Sequence, residues 1–313
     1  MNARITVVGS LNMDLVIRSP RIPQPGETII GHDLHTVPGG KGANQAVAAA
    51  RLGARVGMVG RVGDDDFGRP LLLNLAANCV DAQHVIKQSG VASGVAMIIV
   101  DDAGENCIVV ASGANAELSP ADVDAAEEAI ATADLLLLQL ESPLETVAHA
   151  ASVARAHGTP VVLNPAPVPA DALSADLLEM VDVLIPNQGE ALALAGISQS
   201  DSADFGAVAS AVRELGPDIV VLTLGSQGAL VLGLQGSQTV PAFPVQVVDT
   251  TAAGDAFVAG LAVAMAEGKP VFEAARWGNA AGALAATRFG AQPSLPERQD
   301  LLGLLDGTSA LVD

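Results

Sequence analysis

The segment Asp249-Thr250-Thr251-Ala252-Ala253-Gly254-Asp255 sets small residues and a carboxylate at the mouth of an apolar, helix-like run over 256–266. Small residues ahead of a helix leave its first backbone N–H groups uncovered. Those donors, with the positive end of the helix dipole, attract an anion. Asp255 therefore stands as a potential base beside an anion-binding turn, which is the chemistry of phosphoryl transfer to a hydroxyl.

A second candidate is Gly39-Gly40-Lys41-Gly42-Ala43-Asn44-Gln45, because glycine-rich backbone opening a helix lets a ligand approach closely. It is not a Walker A loop: the first-glycine spacing differs and no Ser or Thr follows Lys41. Nor does G-x-G-x-x-G follow the first strand pattern, which weakens a dinucleotide reading. Taken alone, the segment reads as a tight turn before a helix. A third group, Asn187-Gln188-Gly189-Glu190 and Thr223-Leu224-Gly225-Ser226-Gln227-Gly228, follows two apolar strand patterns, at strand ends where open α/β sheets bind ligands. If a helix starts at 187, Asn187 and Glu190 share a face and could hold a hydrated Mg2+. An N-cap followed by an exposed Glu is the plainer reading.

The elements that must position these groups alternate short apolar runs with helix-period segments, the pattern of a doubly wound α/β sheet flanked by helices. Strands are expected at 5–8, 56–59, 135–140, 161–163, 183–185 and 219–224, and helices near 44–52, 121–131, 144–156, 205–215, 255–266 and 272–286. Gly53 and Gly158 fall at helix C-caps. Residues 12–38 and 91–112 break the alternation as extended pieces, with a hairpin tip over 100–106, and predict a small sheet over one edge of the main domain. No linker or repeat divides the chain, so 1–313 reads as a single α/β domain with that small sheet as a lid.

At 313 residues and 50% hydrophobic, the chain can bury a large core. A formal charge of −20 argues against nucleic acid or an anionic membrane as partner, since both need a basic face. The longest apolar run, 256–266, falls short of the roughly 20 residues that span a bilayer. The first ten residues enter a strand pattern without a leader signature, so a cytoplasmic location is expected. Cys79 and Cys107 are expected to be buried reduced thiols. Asp64-Asp65-Asp66 reads as a turn opening a helix, His32 and His35 are poorly spaced for zinc, and Phe272 and Trp277 read as core.

Set side by side, the glycine-rich segment and the 249–255 segment resemble the two signatures of the ribokinase family of sugar kinases. The similarity runs in order along nearly the whole chain: Gly9-Ser10-Leu11-Asn12-Met13-Asp14, Pro25-Gly26-Glu27-Thr28, Leu140-Glu141-Ser142-Pro143, Asn164-Pro165-Ala166-Pro167, Thr223-Leu224-Gly225 and Gly290-Ala291-Gln292-Pro293-Ser294. The resemblance implies that Asn12, Asp14, Gly40, Lys41, Asn44 and Glu141 hold a sugar. Carboxylates and amides suit its vicinal hydroxyls. It further implies an ATP site lined by Asn187, Thr223, Gly225, Ser226, Gln227, Gly228, Gly254 and Asn279, with Asn187 and Glu190 near magnesium, mainly through water.

The implied reaction is ATP-dependent phosphorylation of D-ribose at its 5-hydroxyl. Asp255 is the general base, and backbone N–H groups of Ala252, Ala253, Gly254 and Asp255 form the anion hole. The same resemblance implies an activating potassium ion held by Asp249 and Ser294 with carbonyls of Thr251, Ala285, Arg288 and Gly290, and a homodimer formed through the lid sheet. Gln227 in place of a basic residue, Gly189, and Thr251 in place of an aliphatic residue depart from the family pattern and bear on ATP affinity and cation preference. A related kinase acting on deoxyribose, fructose or adenosine is the alternative, followed by a non-catalytic sugar-binding regulator.

Overall fold

The computed structural model describes residues 2–198, 204–234 and 236–307, so the ends of the expected 1–313 domain lie outside it. Its strands are β1 (Arg4–Val8), β2 (Asn12–Ser19), β3 (Leu34–Gly39), β4 (Arg55–Gly63), β5 (Val80–Gln88), β6 (Gly94–Asp101), β7 (Asn106–Ala111), β8 (Leu135–Leu138), β9 (Val161–Leu163), β10 (Val183–Leu184), β11 (Ile219–Thr223), β12 (Ala229–Gly233) and β13 (Gly236–Val240). Nine of them form one sheet in the order β13-β12-β11-β10-β9-β8-β1-β4-β5. From β11 to β5 the pairs are parallel, and β12 and β13 add an antiparallel hairpin at one edge.

Burial on both faces explains why the central strands are apolar without interruption. Along β8, Leu135 and Leu137 pack into one helical layer while Leu136 and Leu138 pack into the other, following the period-two alternation of a strand. The strand ends at Leu138, two residues earlier than expected, and this frees Gln139, Leu140 and Glu141 to turn out of the ladder. The helix expected over 121–131 is two short helices, Pro120–Asp124 and Glu127–Ala131. Gly158 ends the Leu144–His157 helix in the left-handed conformation with φ 72°, as its position predicts.

The second sheet has the order β3-β2-β6-β7 and occupies the segments expected to form the lid. It is seated against the loop after the Val271–Ala286 helix: Arg18 lies over the Phe289 ring at 5.1 Å and His35 meets the same ring edge-on at 6.1 Å. Asp65 accepts hydrogen bonds from the Phe67 and Gly68 amides and from Ser93, so the acidic triplet opens a helix and ties it to the start of the lid strand. Trp277 is buried and Phe272 half-buried, both against the core. Both cysteines correct the sequence reading, because Cys79 and Cys107 are exposed. Cys79 follows the Gly68–Ala77 helix in a left-handed turn at φ 58°, and Cys107 lies on β7, all of whose residues are exposed. No helix of the described residues is long and apolar enough to cross a membrane.

The Lys41–Arg51 helix starts against the end of β1. A Cβ at Gly42 would stand 2.6 Å from the Ser10 nitrogen and 2.8 Å from the Gly9 carbonyl carbon, both rigid backbone. Gly42→Ala is expected to destabilise the fold by about 1–3 kcal/mol through overpacking. Gly57→Ala, whose Cβ would meet nothing within 4 Å, serves as the control in denaturant titration. Equal stability of the two variants would contradict this close approach.

Candidate active site

Asn12 and Asp14 are alternate residues of β2, so they point to one face of the strand, and both are buried. Room for Asp14 exists because Gly39, on the neighbouring β3, has no side chain where the carboxylate packs. The Asn12 amide is oriented from both ends. Its Oδ1 accepts from Asn115 Nδ2 at 2.8 Å, and its Nδ2 donates to Glu141 Oε2 at 3.4 Å. The same Glu141 oxygen accepts from Ser10 Oγ at 2.5 Å and from the Lys41 backbone N–H at 3.1 Å. Glu141 thereby caps the first residue of the Lys41–Arg51 helix, a position that favours a negative charge. Gly40, at φ 88°, makes the turn into that helix.

Asp255 lies in the first turn of the Ala253–Ala266 helix and is buried. Two consecutive residues of the Lys41–Arg51 helix hold it: Asn44 Nδ2 donates to Oδ2 at 2.9 Å and Gln45 Nε2 to Oδ1 at 3.0 Å. Asn44 Oδ1 is buried and has no partner among the described residues, which leaves an acceptor for a ligand hydroxyl beside the carboxylate. Lys41 is half-buried. Burial opposes its charge, but Asp255, Glu141 and Glu190 outweigh that and hold the ammonium above its usual value.

A pocket of about 220 Å³ joins Lys41, Asn164, Asn187, Glu190, Gly254 and Asp255. Asn187 and Glu190 form a capping box: Asn187 N donates to Glu190 Oε2 and Glu190 N to Asn187 Oδ1, each at 2.8 Å. Burial raises the Glu190 carboxyl, against the Asn187 N–H and Lys41. Beyond this pocket lies a cleft of about 520 Å³ lined by Thr223, Gly225, Ser226, Gly228, Gly254 and Asn279 among other residues. Gln227 is exposed in the Gly225–Gln227 turn. The buried Asn279 donates to the carbonyls of Val240 at 2.9 Å and Pro241 at 3.1 Å, fixing the hairpin edge of the cleft. The dimensions and mixed lining suit a nucleotide.

The turn before Asp255 carries the expected donors in altered form. Ala252 adopts the left-handed conformation, φ 58°, at the N-cap. Ala253 N–H is taken by Thr250 O at 3.1 Å, whereas those of Ala252, Gly254 and Asp255 have no partner among the described residues. Asp249 Oδ1 accepts from Thr251 N at 2.9 Å and Thr251 Oγ1 at 2.7 Å, and its Oδ2 accepts from Gly290 N at 2.9 Å. Burial opposes ionisation of Asp249, but these bonds and the charge of Arg18 hold its carboxyl below the usual range. Asp249 thus joins 249–251 to the loop bearing Gly290. Ser294 Oγ is buried and donates to Ala291 O at 2.7 Å, and Ala285 O accepts from Arg288 N at 3.1 Å. Asp249, Ser294 and Ala285 offer oxygen donors, the type a hard cation takes, with both Asp249 oxygens already accepting N–H bonds.

Sequence reasoning did not assign Ser10, Gln45, Asn115, Gln139 or Asn164. Ser10, Gln45 and Asn164 stand inside the motifs quoted above, while Asn115 and Gln139 carry no local signal and reach the site only through the fold.

The fold and site define the class: an α/β protein in which a polar, carboxylate-lined pocket meets a nucleotide-sized cleft at a helix start with unpartnered backbone N–H groups among the described residues. The pattern of the pfkB family carbohydrate kinases matches residues 2–298. The chain is 44% identical to a ribokinase of Haemophilus influenzae over 306 residues, 98% of this chain and 99% of that one. It is 37% identical to a deoxyribokinase of Salmonella typhi over 292 residues, 93% of this chain and 95% of that one. The structure of Arabidopsis thaliana ribokinase complexed with ribose and ATP superposes with a TM-score of 0.88 at 33% identity, covering 97% of this chain and 99% of that one. The chain belongs to the pfkB family of carbohydrate kinases.

Burial, then the charges of Glu141 and Asp255, push the Asp14 carboxyl from its ordinary 3.8 up to about 7. A carboxyl raised in the folded state keeps its proton where the unfolded chain has lost it, so its contribution to stability declines as pH rises from 3.8 to about 7 and is constant above. The melting temperature of the unliganded parent, relative to Asp14→Asn, is expected to fall across that window. A pH-independent difference between the two proteins would contradict it.

Proposed function

We propose that this chain transfers the γ-phosphoryl group of ATP to the 5-hydroxyl of D-ribose, giving D-ribose 5-phosphate and ADP. The observation that carries the reading is the placement of Asp255 between two spaces: its carboxylate belongs to the Asn44 and Gln45 contacts on one side, and its helix start opens to the cleft on the other. Asn12, Asp14, Gly40, Lys41, Asn44 and Glu141 bind the sugar. Its hydroxyls donate to the carboxylates and accept from the amides, and the 5-hydroxyl faces Asp255. Asp255 takes the hydroxyl proton as the oxygen attacks phosphorus in line. The free amides of Ala252, Gly254 and Asp255 stabilise the charge on the transferring group, and Ala253 joins them if its bond to Thr250 opens.

Thr223, Gly225, Ser226, Gln227, Gly228 and Asn279 hold the nucleotide. Asn187 and Glu190 would hold Mg2+ through water, where it neutralises phosphate charge. Asp249, Ser294 and the carbonyls of Thr251, Ala285, Arg288 and Gly290 would hold K+, and the bonds of Asp249 to Thr251 and Gly290 then brace the turn that carries the anion-binding amides. We read the chain as one α/β domain with a lid, acting in the cytoplasm. Met97, Ile108 and Val109 project exposed from the lid, and the free edge of β7 suits pairing with a second copy.

Ribose-dependent ATP consumption, measured in potassium, sodium and tetramethylammonium buffers, is expected to require ribose and to be fastest in potassium. Absence of ribose-dependent turnover would overturn the assignment, and equal rates in all three buffers would remove the cation. Deoxyribose, fructose and adenosine tested alongside separate the neighbouring activities, with ribose expected to give the highest kcat/KM. The solution mass is expected to be twice that of one chain, and Val109→Lys on the lid to halve it. A monomeric parent would remove the dimer.

A further inference from the structure

Four amide side chains meet behind Asp255, and only Asn44 among them has a role in holding the sugar. Gln45 lies on the second turn of the Lys41–Arg51 helix, Gln139 follows β8, and Asn164 follows β9. All of them are buried. Gln45 Nε2 donates to Asp255 Oδ1 at 3.0 Å and to Asn164 Oδ1 at 3.1 Å, while its Oε1 accepts from Gln139 Nε2 at 2.6 Å.

The direction of this chain is fixed by backbone. Asn164 Nδ2 donates to the Ile185 carbonyl at 2.9 Å, and a carbonyl can only accept. Asn164 must then present Oδ1 to Gln45, so Gln45 must present its NH2 group, and the same NH2 group is the one that reaches Asp255. Gln45 is thereby locked as a donor to the carboxylate.

We infer that Gln45 is a positioning residue for the reaction: through the Ile185–Asn164–Gln45 chain it fixes the rotamer of Asp255, while Asn44 holds the second oxygen. A neutral amide does this without the full positive charge that an Arg or Lys would set against the carboxylate. The remaining lone pairs of Asp255 are then aimed at the pocket shared with Lys41 and Gly254. The inference rests on Asp255 being the base, and the test separates the two ideas.

Gln45→Leu removes the donor and keeps the bulk. Gln45→Glu keeps the shape and the acceptor toward Gln139 but faces Asp255 with an oxygen. Misplacing a base by an ångström lowers turnover by about 10²-fold, so in each variant kcat is expected to fall about 10- to 100-fold, with KM for ribose and for ATP changed less than about threefold. A residue that acts only through Asp255 has nothing left to position once the base is gone. Turnover of Asp255→Asn/Gln45→Leu is therefore expected to match that of Asp255→Asn alone, within about threefold.

Parent-like kcat in either Gln45 variant, a rise in KM at constant kcat, or losses that multiply in the double variant would each overturn the inference. Failure of both Gln45 variants to fold would do the same, since the role is then structural. If Asp255→Asn itself keeps near-normal turnover, the base assignment fails instead.

Discussion

Two hydrogen bonds to one carboxylate join distant parts of this chain. Asn44 and Gln45 reach Asp255 across 211 and 210 residues of sequence, and the contact requires the Lys41–Arg51 and Ala253–Ala266 helices to meet near their N-terminal ends. The parallel sheet supplies that meeting. β1 sits between β8 and β4, so the glycine-rich segment, Glu141 and Asn164 all emerge near one end of the strands. Ligand-sized spaces at the carboxyl ends of such strands are a property of open α/β sheets. What is particular to this chain is that the strand ends carry amides and carboxylates where apolar residues would close the gap.

Charge sets the second constraint. Asp14, Glu141, Glu190 and Asp255 converge within a protein of formal charge −20, and Lys41 is the cation that responds to three of them. Such a cluster suits hydroxyls, which donate to carboxylates, and repels phosphate. The two spaces meet at the start of the Ala253–Ala266 helix: its buried carboxylate lines the polar pocket, while Gly254, whose amide is free among the described residues, lines both that pocket and the cleft. Backbone dipoles can hold an anion there without adding a titratable cation.

Most of the central sheet was legible because strands buried on both faces have to be apolar throughout, as in Leu135–Leu138 and Val161–Leu163. The β12–β13 hairpin was not read, since the Gly236–Val240 strand, exposed except at Val240, has no apolar pattern to mark it. The cysteines misled for a related reason. Burial is the common state of that residue type, but Cys79 follows a helix end and Cys107 lies on a strand with no buried residue. In the site, Asn12, Asp14, Asn44 and Asp255 could be proposed from short motifs, whereas Ser10, Gln45 and Asn164 stand in the same motifs and were passed over. Asn115 and Gln139 were not legible: Asn115 lies 103 residues from Asn12, whose orientation it fixes, and Gln139 is 94 from Gln45. Their selection is a property of three-dimensional proximity that spacing along the chain does not encode.

The central claim is that Asp255 serves the chemical step and contributes little to holding the sugar. Turnover of Asp255→Asn together with its ribose affinity by titration calorimetry tests this most directly. Loss of a general base lowers kcat by about 10²–10⁴-fold, and the account predicts that loss with ribose affinity changed only a few-fold. Near-parent turnover in the variant, or ribose binding that disappears with it, would contradict the account.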